Sequence, residues 1–241
     1  MTKLSGKVAV VTGANQGIGK AIAQRFAQEG CALALAARNN DKLQAVAQEL
    51  QAGGTPVIAS CTDVSREADV EALFDSVLAE FGRVDILVNN AGAFDGGRID
   101  QIEFAAWNNV IGSCLTGMFL CSRRAFASMR ETGGGRILNI GSISGQRPRL
   151  HSAPYAAAKF GVWGLTQSIA LDGRPFGIIA SCLHPGNVRV ERRIDLQAED
   201  EPMMSMETIA EVALTMVTLP PDVNMLEAIV LPVEQQYLGR G

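Results

Sequence analysis

The sequence predicts an α/β protein with a single-domain, doubly wound Rossmann fold, a mostly parallel seven-stranded sheet carrying helices on both faces. Three observations predict it. Short apolar runs alternate with helix-like stretches along the whole chain, as a parallel sheet requires when each crossover is a helix. The apolar runs are continuous rather than alternating, which suits strands buried on both faces. No Pro/Gly/Ser-rich linker, low-complexity tract or repeat divides residues 1–241, so one domain is expected, with a substrate loop at about 187–206.

Residues 7–12, Lys-Val-Ala-Val-Val-Thr, are apolar and β-branched and read as the first strand. A helix follows from Ile18 to Glu29, with Gly30 as its stop. The run at 31–37 is the second strand, and an amphipathic helix at about 40–52 ends at Gly53-Gly54. Further strands are expected at 56–60, 84–89, 135–141, 178–183 and 226–231. Helices are expected near 66–81, 100–130, 155–172 and 206–218.

Composition narrows the function. The chain has 47% hydrophobic and 19% charged residues and a net charge of −4. That supplies a sizeable core and argues against nucleic acid or an anionic membrane as the partner. No apolar run reaches the roughly 18 residues of a membrane span, and the start runs straight into the first strand without a leader pattern. Five scattered cysteines lack a C-x-x-C pair, which predicts reduced thiols in a cytoplasmic protein rather than disulfides. Two histidines are too few for an imidazole-based metal site, and none is expected.

Directly after the first strand stands Thr12-Gly13-Ala14-Asn15-Gln16-Gly17-Ile18-Gly19. Glycines there permit positive φ and close backbone approach, and the following helix offers free N–H groups and its positive end to a pyrophosphate. A plain strand-to-helix turn would also carry glycine, but the position at the head of a βαβ series favours dinucleotide binding. The spacing G-x-x-x-G-x-G with the preceding Thr resembles the classical short-chain dehydrogenase/reductase family. At the end of the second strand, where an acid would bond the ribose of NAD, stands Ala37, followed by Arg38. A carboxylate would repel a 2′-phosphate, whereas Arg38 can bond one, so NADP(H) is the expected cofactor. Gln16 weighs the other way, because many NADP-preferring relatives carry a basic residue within the glycine turn.

Tyr155 and Lys159 lie four residues apart on an expected helix, hence on one face. A free tyrosine, with a pKa of about 10, is a poor acid or base at neutral pH. A unit charge about 4 Å away at an effective dielectric near 20 contributes roughly 4 kcal/mol, or up to about three pKa units, and burial opposes it. Ser142 stands thirteen residues upstream at the end of a strand, where open α/β sheets bind their ligands. Its hydroxyl can fix a substrate carbonyl beside the phenol; Ser144 is a rival on the same turn, and the family pattern selects Ser142.

With Asn89-Asn90-Ala91-Gly92 and Pro185-Gly186 the resemblance spans about residues 5–190. It implies that Gly13, Gly17, Ile18 and Gly19 hold the pyrophosphate and adjoining ribose. Asp63 and Val64 would meet the adenine, and Asn90, Ala91 and Gly92 would line the adenosine side. Tyr155 is implied as the general acid/base, Lys159 as the residue that bonds the nicotinamide ribose and tunes the phenol, and Ser142 as the carbonyl holder. Pro185, Gly186 and Val188 would wall the nicotinamide and hold its carboxamide. The activity implied is hydride transfer between NADP(H) and a ketone or aldehyde, or a secondary alcohol. Two other readings stay open: an NAD-preferring alcohol dehydrogenase of the same family, and a cofactor-binding sensor or scaffold with weak turnover.

The chain departs from the family in three places. Seven residues after Trp107, where many members carry an Asn on the long helix, stands Cys114. The Asn is thought to act through a helix irregularity whose carbonyl a cysteine could preserve, which predicts a working but slower proton relay. Val190 replaces a Thr that often bonds the cofactor, and the closing segment Ile229–Tyr237 lacks the Asp-Gly-Gly of relatives acting on carrier-bound oxoacyl chains. Arg147, Arg149 and His151 could recognise an acidic substrate, although loop or subunit-interface charges are the plainer reading. Arg192 and Arg193, with Met203, Met204 and Met206, suit a lid. His184 reads as a packed, hydrogen-bonded residue. Small-residue faces on the helices near 100–130 and after Tyr155 suit the four-helix contact by which the family forms homodimers and homotetramers.

Overall fold

The computed structural model describes residues 2–190 and 201–237. Seven strands form one sheet in the order β3-β2-β1-β4-β5-β6-β7: Val8–Thr12, Ala32–Ala37, Val57–Cys61, Ile86–Asn89, Gly135–Ile140, Ile178–Pro185 and Glu227–Val230 for β1 to β7. Every strand pairing is parallel. The helices are α1 (Gly17–Gln28), α2 (Asn40–Ala52), α3 (Glu67–Phe81), α4 (Phe104–Ile111), α5 (Gly117–Glu131), α6 (Ala153–Gly173) and α7 (Met206–Thr218). This is the expected doubly wound Rossmann architecture.

Burial on both faces explains why the strands lack polar alternation. Successive residues of β1 point to opposite sides: Ala9 and Val11 join the core that includes Ile22 and Phe26 of α1 and Leu214 of α7. Val8 and Val10 join the one that includes Leu73 and Phe74 of α3 and Leu120 and Met129 of α5. At the amino-terminal end of the sheet, buried Asp85 ties β1 to β4. It accepts from the Val8 N–H at 3.0 Å and from the Arg83 guanidinium at 2.6 and 2.9 Å.

The expected long helix proves to be two α-helices joined by a π-type turn, Gly112–Thr116, and it starts at Phe104 rather than near 100. The extra residue of such a turn widens the helix locally. The run Phe104–Glu131 is long and apolar enough to cross a membrane by length and composition alone. Its α5 part instead buries Leu120, Cys121, Ala125 and Met129 against the sheet and α3. Arg123 and Arg124 on the same helix pair with Glu67, Glu71 and Asp75 of α3.

None of the five cysteines is paired in a disulfide. Burial pushes the thiols of Cys31, Cys121 and Cys182 up to about 12, whereas Cys61 is exposed. Reactivity requires access and thiolate character. Titration of the native protein with an aromatic disulfide reagent at pH 8 should therefore modify Cys61 rapidly and the four buried thiols only after denaturation. Rapid modification of two or more thiols in the native protein would contradict this burial pattern.

Candidate active site

The strand order reverses direction at β1, so β2 leads away on one side and β4 lies on the other, and the loops after β1 and β4 meet across the resulting crevice. Their contact is built from side chain to backbone. Thr12 Oγ1 donates to the Val88 carbonyl at 3.3 Å and accepts from the N–H groups of Asn90 and Ala91, each at 3.0 Å. Asn90 Nδ2 donates to the carbonyls of Thr12 at 3.0 Å and Gly13 at 3.2 Å. Asn90 therefore braces the glycine turn.

The turn needs its glycines. Gly13 and Gly17 have φ of +66° and +58°, in the left-handed region that side chains disfavour. A Cβ on Gly13 would lie 2.7 Å from Asn90 Nδ2, and one on Gly19 would overlap the Gly13 carbonyl oxygen. α1 begins at Gly17, with Ile18 partly buried against the core.

Beside this turn opens a cleft of about 290 Å³, lined by Gly13, Gln16, Ala37, Arg38, Asp63, Val64, Ala91 and Gly92 among others. Asp63 uses one carboxylate oxygen, Oδ1, to accept from the Ser65 N–H at 3.0 Å and its hydroxyl at 2.7 Å. Burial pushes this carboxyl up, but the Ser65 bonds and the charges of Arg38 and Arg66 outweigh burial and hold it below its ordinary value. Sequence reading missed Lys42. It projects from the first turn of α2, and its Nζ donates to Gln16 Oε1 at 3.1 Å. It thus brings a cation to the turn in which Gln16 stands where a basic residue was looked for. The signal was a lysine four residues after Arg38, unreadable without knowing that α2 folds back on the turn.

Across the sheet, at the carboxyl end of β5, Ser142 begins a tight turn whose hydroxyl accepts from the Ser144 N–H at 3.1 Å. Ser144, the rival, is buried, while Ser142 is half-buried. The last residue of β5, Ile140, presents its carbonyl to Lys159 Nζ at 2.7 Å. Lys159 is 4% exposed, and its Nζ lies 5.5 Å from the ring centroid of Tyr155, one helical turn earlier on α6. The other edge of the Tyr155 ring meets Phe94 in a T-shaped contact at 5.2 Å. The loop carrying Phe94 is fastened by the Gly97 N–H to the His151 carbonyl at 3.0 Å, with His151 itself left-handed at φ 60°.

Cys114 sits within the π-type turn, the irregularity that was expected there. It is fully buried, and its Sγ accepts from the Ala93 N–H at 3.3 Å and reaches the Ala93 carbonyl at 3.2 Å. The thiol therefore ties the turn to the segment that follows Gly92. On the opposite wall Pro185 ends β6, and the Gly186 N–H donates to the Val230 carbonyl at 2.8 Å. Val188 is buried in the core cluster, and its backbone pairs alongside Met204. Val190 also packs against that core. Arg147 stacks over the Tyr237 ring at 5.3 Å, and Arg149 donates to Asn187 Oδ1 at 2.8 Å. Both charges thus have partners within the chain, in keeping with the plainer reading of that loop. Arg192 and Arg193 of the expected lid lie outside the described residues.

The glycine turn, the Asn90 loop and Ser142 follow the carboxyl ends of parallel strands, with Tyr155 and Lys159 one turn apart on α6, and comparison with known proteins decides the family. The model of the short chain dehydrogenase family matches residues 7–201. The chain belongs to the short-chain dehydrogenase/reductase family. Over 233 residues it is 34% identical to an uncharacterized oxidoreductase of Staphylococcus aureus, covering 97% of this chain and 100% of the relative. An alcohol dehydrogenase from Thermococcus sibiricus, solved in complex with 5-hydroxy-NADP, superposes with a TM-score of 0.86 at 30% identity, covering 96% and 98% of the two chains. A short-chain dehydrogenase/reductase from Mycobacterium marinum gives a TM-score of 0.89 at 28% identity, with 95% of each chain covered. This short-chain dehydrogenase is an oxidoreductase of a family that uses NAD(P)(H), acts on small molecules and is commonly oligomeric.

Proposed function

We propose that the protein is an NADP(H)-dependent oxidoreductase that interconverts a ketone or aldehyde and the corresponding alcohol, with Tyr155 as general acid/base. The observation that carries this reading is the buried Lys159 ammonium, anchored on the Ile140 carbonyl and set beside the Tyr155 ring. Burying a cation is costly unless it has partners, and here the cost places positive charge where the phenol becomes negative as its proton leaves. Ser142, on the neighbouring turn, donates its hydroxyl to the substrate carbonyl, and Tyr155 delivers the proton to the same oxygen during reduction or takes it back during oxidation. The whole chain acts as one cofactor-binding unit, with about 187–206 as its substrate loop, in the cytoplasm and as a homodimer or homotetramer.

The cleft fits a dinucleotide. Gly13, Gly17 and Gly19 leave space for a pyrophosphate against the start of α1, with Ile18, Asn90, Ala91 and Gly92 around them. Asp63 keeps one oxygen for an adenine amino group beside Val64, while Pro185, Gly186 and the Val188 backbone flank the nicotinamide end. When bound, the nicotinamide supplies or accepts the hydride. Preference for the 2′-phosphate is supported by Ala37, which places no carboxylate in the cleft, and by two cations, Arg38 and Lys42. Hydrogen bonds to charged groups contribute about 1.5–3 kcal/mol each, or about 10- to 150-fold. Arg38→Ala and Lys42→Ala should each raise KM for NADPH by about that factor and leave KM for NADH nearly unchanged. A parent enzyme preferring NADH, or equal losses with both cofactors, would assign the protein to NAD instead.

A further inference from the structure

His184 lies directly behind the Ser142 turn, fully buried, with Trp163 edge-on at 6.0 Å. Its Nδ1 is 2.9 Å from the Ser142 carbonyl oxygen and 3.3 Å from the Ser142 nitrogen. The shorter contact is that of an N–H donating to a carbonyl. Gly141 permits the approach, since a Cβ there would lie 2.7 Å from Nδ1. On the far side of the ring, Nε2 has no hydrogen bond among the described residues and stands 3.4 Å from Glu227 Oε1 on β7. Gln146 Nε2 donates to the same Glu227 oxygen, and the Tyr237 hydroxyl donates to Gln146 Oε1. A chain of polar groups therefore runs from Ser142 to the final described segment.

We propose that His184 is a positioning residue for Ser142: as the neutral Nδ1–H tautomer it donates to the Ser142 carbonyl and fixes the turn that aims the serine hydroxyl. Glu227, held by Gln146, which Tyr237 holds in turn, closes the outer side of the ring. This rests on the role given to Ser142 above. The tautomer is assigned from the shorter of two competing contacts: a bare Nδ1 would instead accept from the Ser142 N–H at 3.3 Å and leave the carbonyl at 2.9 Å unsatisfied by the ring. Burial, together with the nearby Lys159 charge, holds the imidazole below its ordinary value against the opposing pull of the Ser142 bond and Glu227, which keeps the ring neutral. Glu227, Lys159 and the Cys182 thiol are the titratable groups around it.

Three substitutions separate positioning from packing. Asparagine places a polar atom near the Nδ1 position, glutamine near Nε2, and phenylalanine keeps a ring without nitrogen. His184→Phe and His184→Gln should lower kcat for carbonyl reduction about 10- to 100-fold, with KM for NADPH unchanged, and His184→Asn should recover most of the loss. Parental activity in all three, or equal losses in all three with equal losses of Tm, would overturn the proposal. If His184→Phe fails to fold, the Asn and Gln pair decides. A second readout needs no activity: nitrogen-15 spectra of the two histidines, assigned with His151→Gln, should show His184 protonated at Nδ1 and bare at Nε2. The reverse pattern would also overturn it. Ser142→Ala is measured alongside. Its loss of activity with His184→Phe at parental rate defeats this inference alone, whereas parental activity in Ser142→Ala defeats the reading of the site.

Discussion

Tyr155→Phe should lower kcat about 10³- to 10⁴-fold, while cofactor affinity and thermal stability stay close to parental. The substitution removes one hydroxyl and keeps the ring, so the T-shaped contact with Phe94 and the packing under Lys159 survive. General acid–base catalysis accounts for about 10²–10⁴ in rate. The upper part of that range is expected here because no other described residue combines a titratable hydroxyl with the neighbourhood of Lys159 and the Ser142 turn. The check is NADPH oxidation over a panel of ketones and aldehydes, parent and variant side by side, with cofactor binding followed by fluorescence. A variant matching the parent on every active substrate would remove Tyr155 from the chemistry and revive the sensor or scaffold reading. A variant that loses cofactor binding as well would recast the tyrosine as a structural element of the cleft.

The other large effect is expected at the glycine turn. In Gly19→Ala the added Cβ overlaps the Gly13 carbonyl oxygen and Asn90 Nδ2. The carbonyl belongs to backbone and cannot rotate aside, and Asn90 is already committed to two carbonyls. Overpacking of this kind costs about 1–3 kcal/mol in stability. The larger loss is in cofactor affinity, since displacing Gly13 moves the N–H groups at the start of α1. An NADP(H) Kd raised at least about 100-fold, or about 2.7 kcal/mol, is the expected result, with Tm lowered by several degrees. Calorimetric titration and a thermal scan check both. Unchanged affinity would mean that the dinucleotide does not lie against this turn.

Strands, helices and their order were legible because burial on both faces leaves a direct imprint: β1 and β2 read as unbroken apolar runs, and nothing else in the chain mimics them. Tyr155 and Lys159 were legible as a pair sharing a helix face, but the choice of Ser142 over Ser144 came from the family resemblance and not from spacing. Other features depend on distance in space. Lys42 and Gln16 are 26 residues apart and meet only because α2 folds back beside α1. The contact between His184 and Ser142 spans 42 residues, and that between Tyr237 and Gln146 spans 91. No local pattern encodes such pairs. The π-type turn around Cys114 is a different case. Its hydrogen bonds are chosen by packing, with the thiol tied to Ala93 and Gly117 tight against Val64, and helix propensity is silent on that choice.

The interior position of β1, between β2 and β4, shapes how the chain acquires its structure. Its first partner, β2, follows within about 20 residues, but its second, β4, pairs Ala9 with Ile86 and Val11 with Val88. A nascent chain must therefore expose one edge of its most apolar strand until nearly ninety residues have been made. Topologies dominated by such distant pairings fold slowly and risk self-association on the way. Recovery from denaturant should consequently fall as protein concentration rises, and slow dilution in the cold is the natural route to active material.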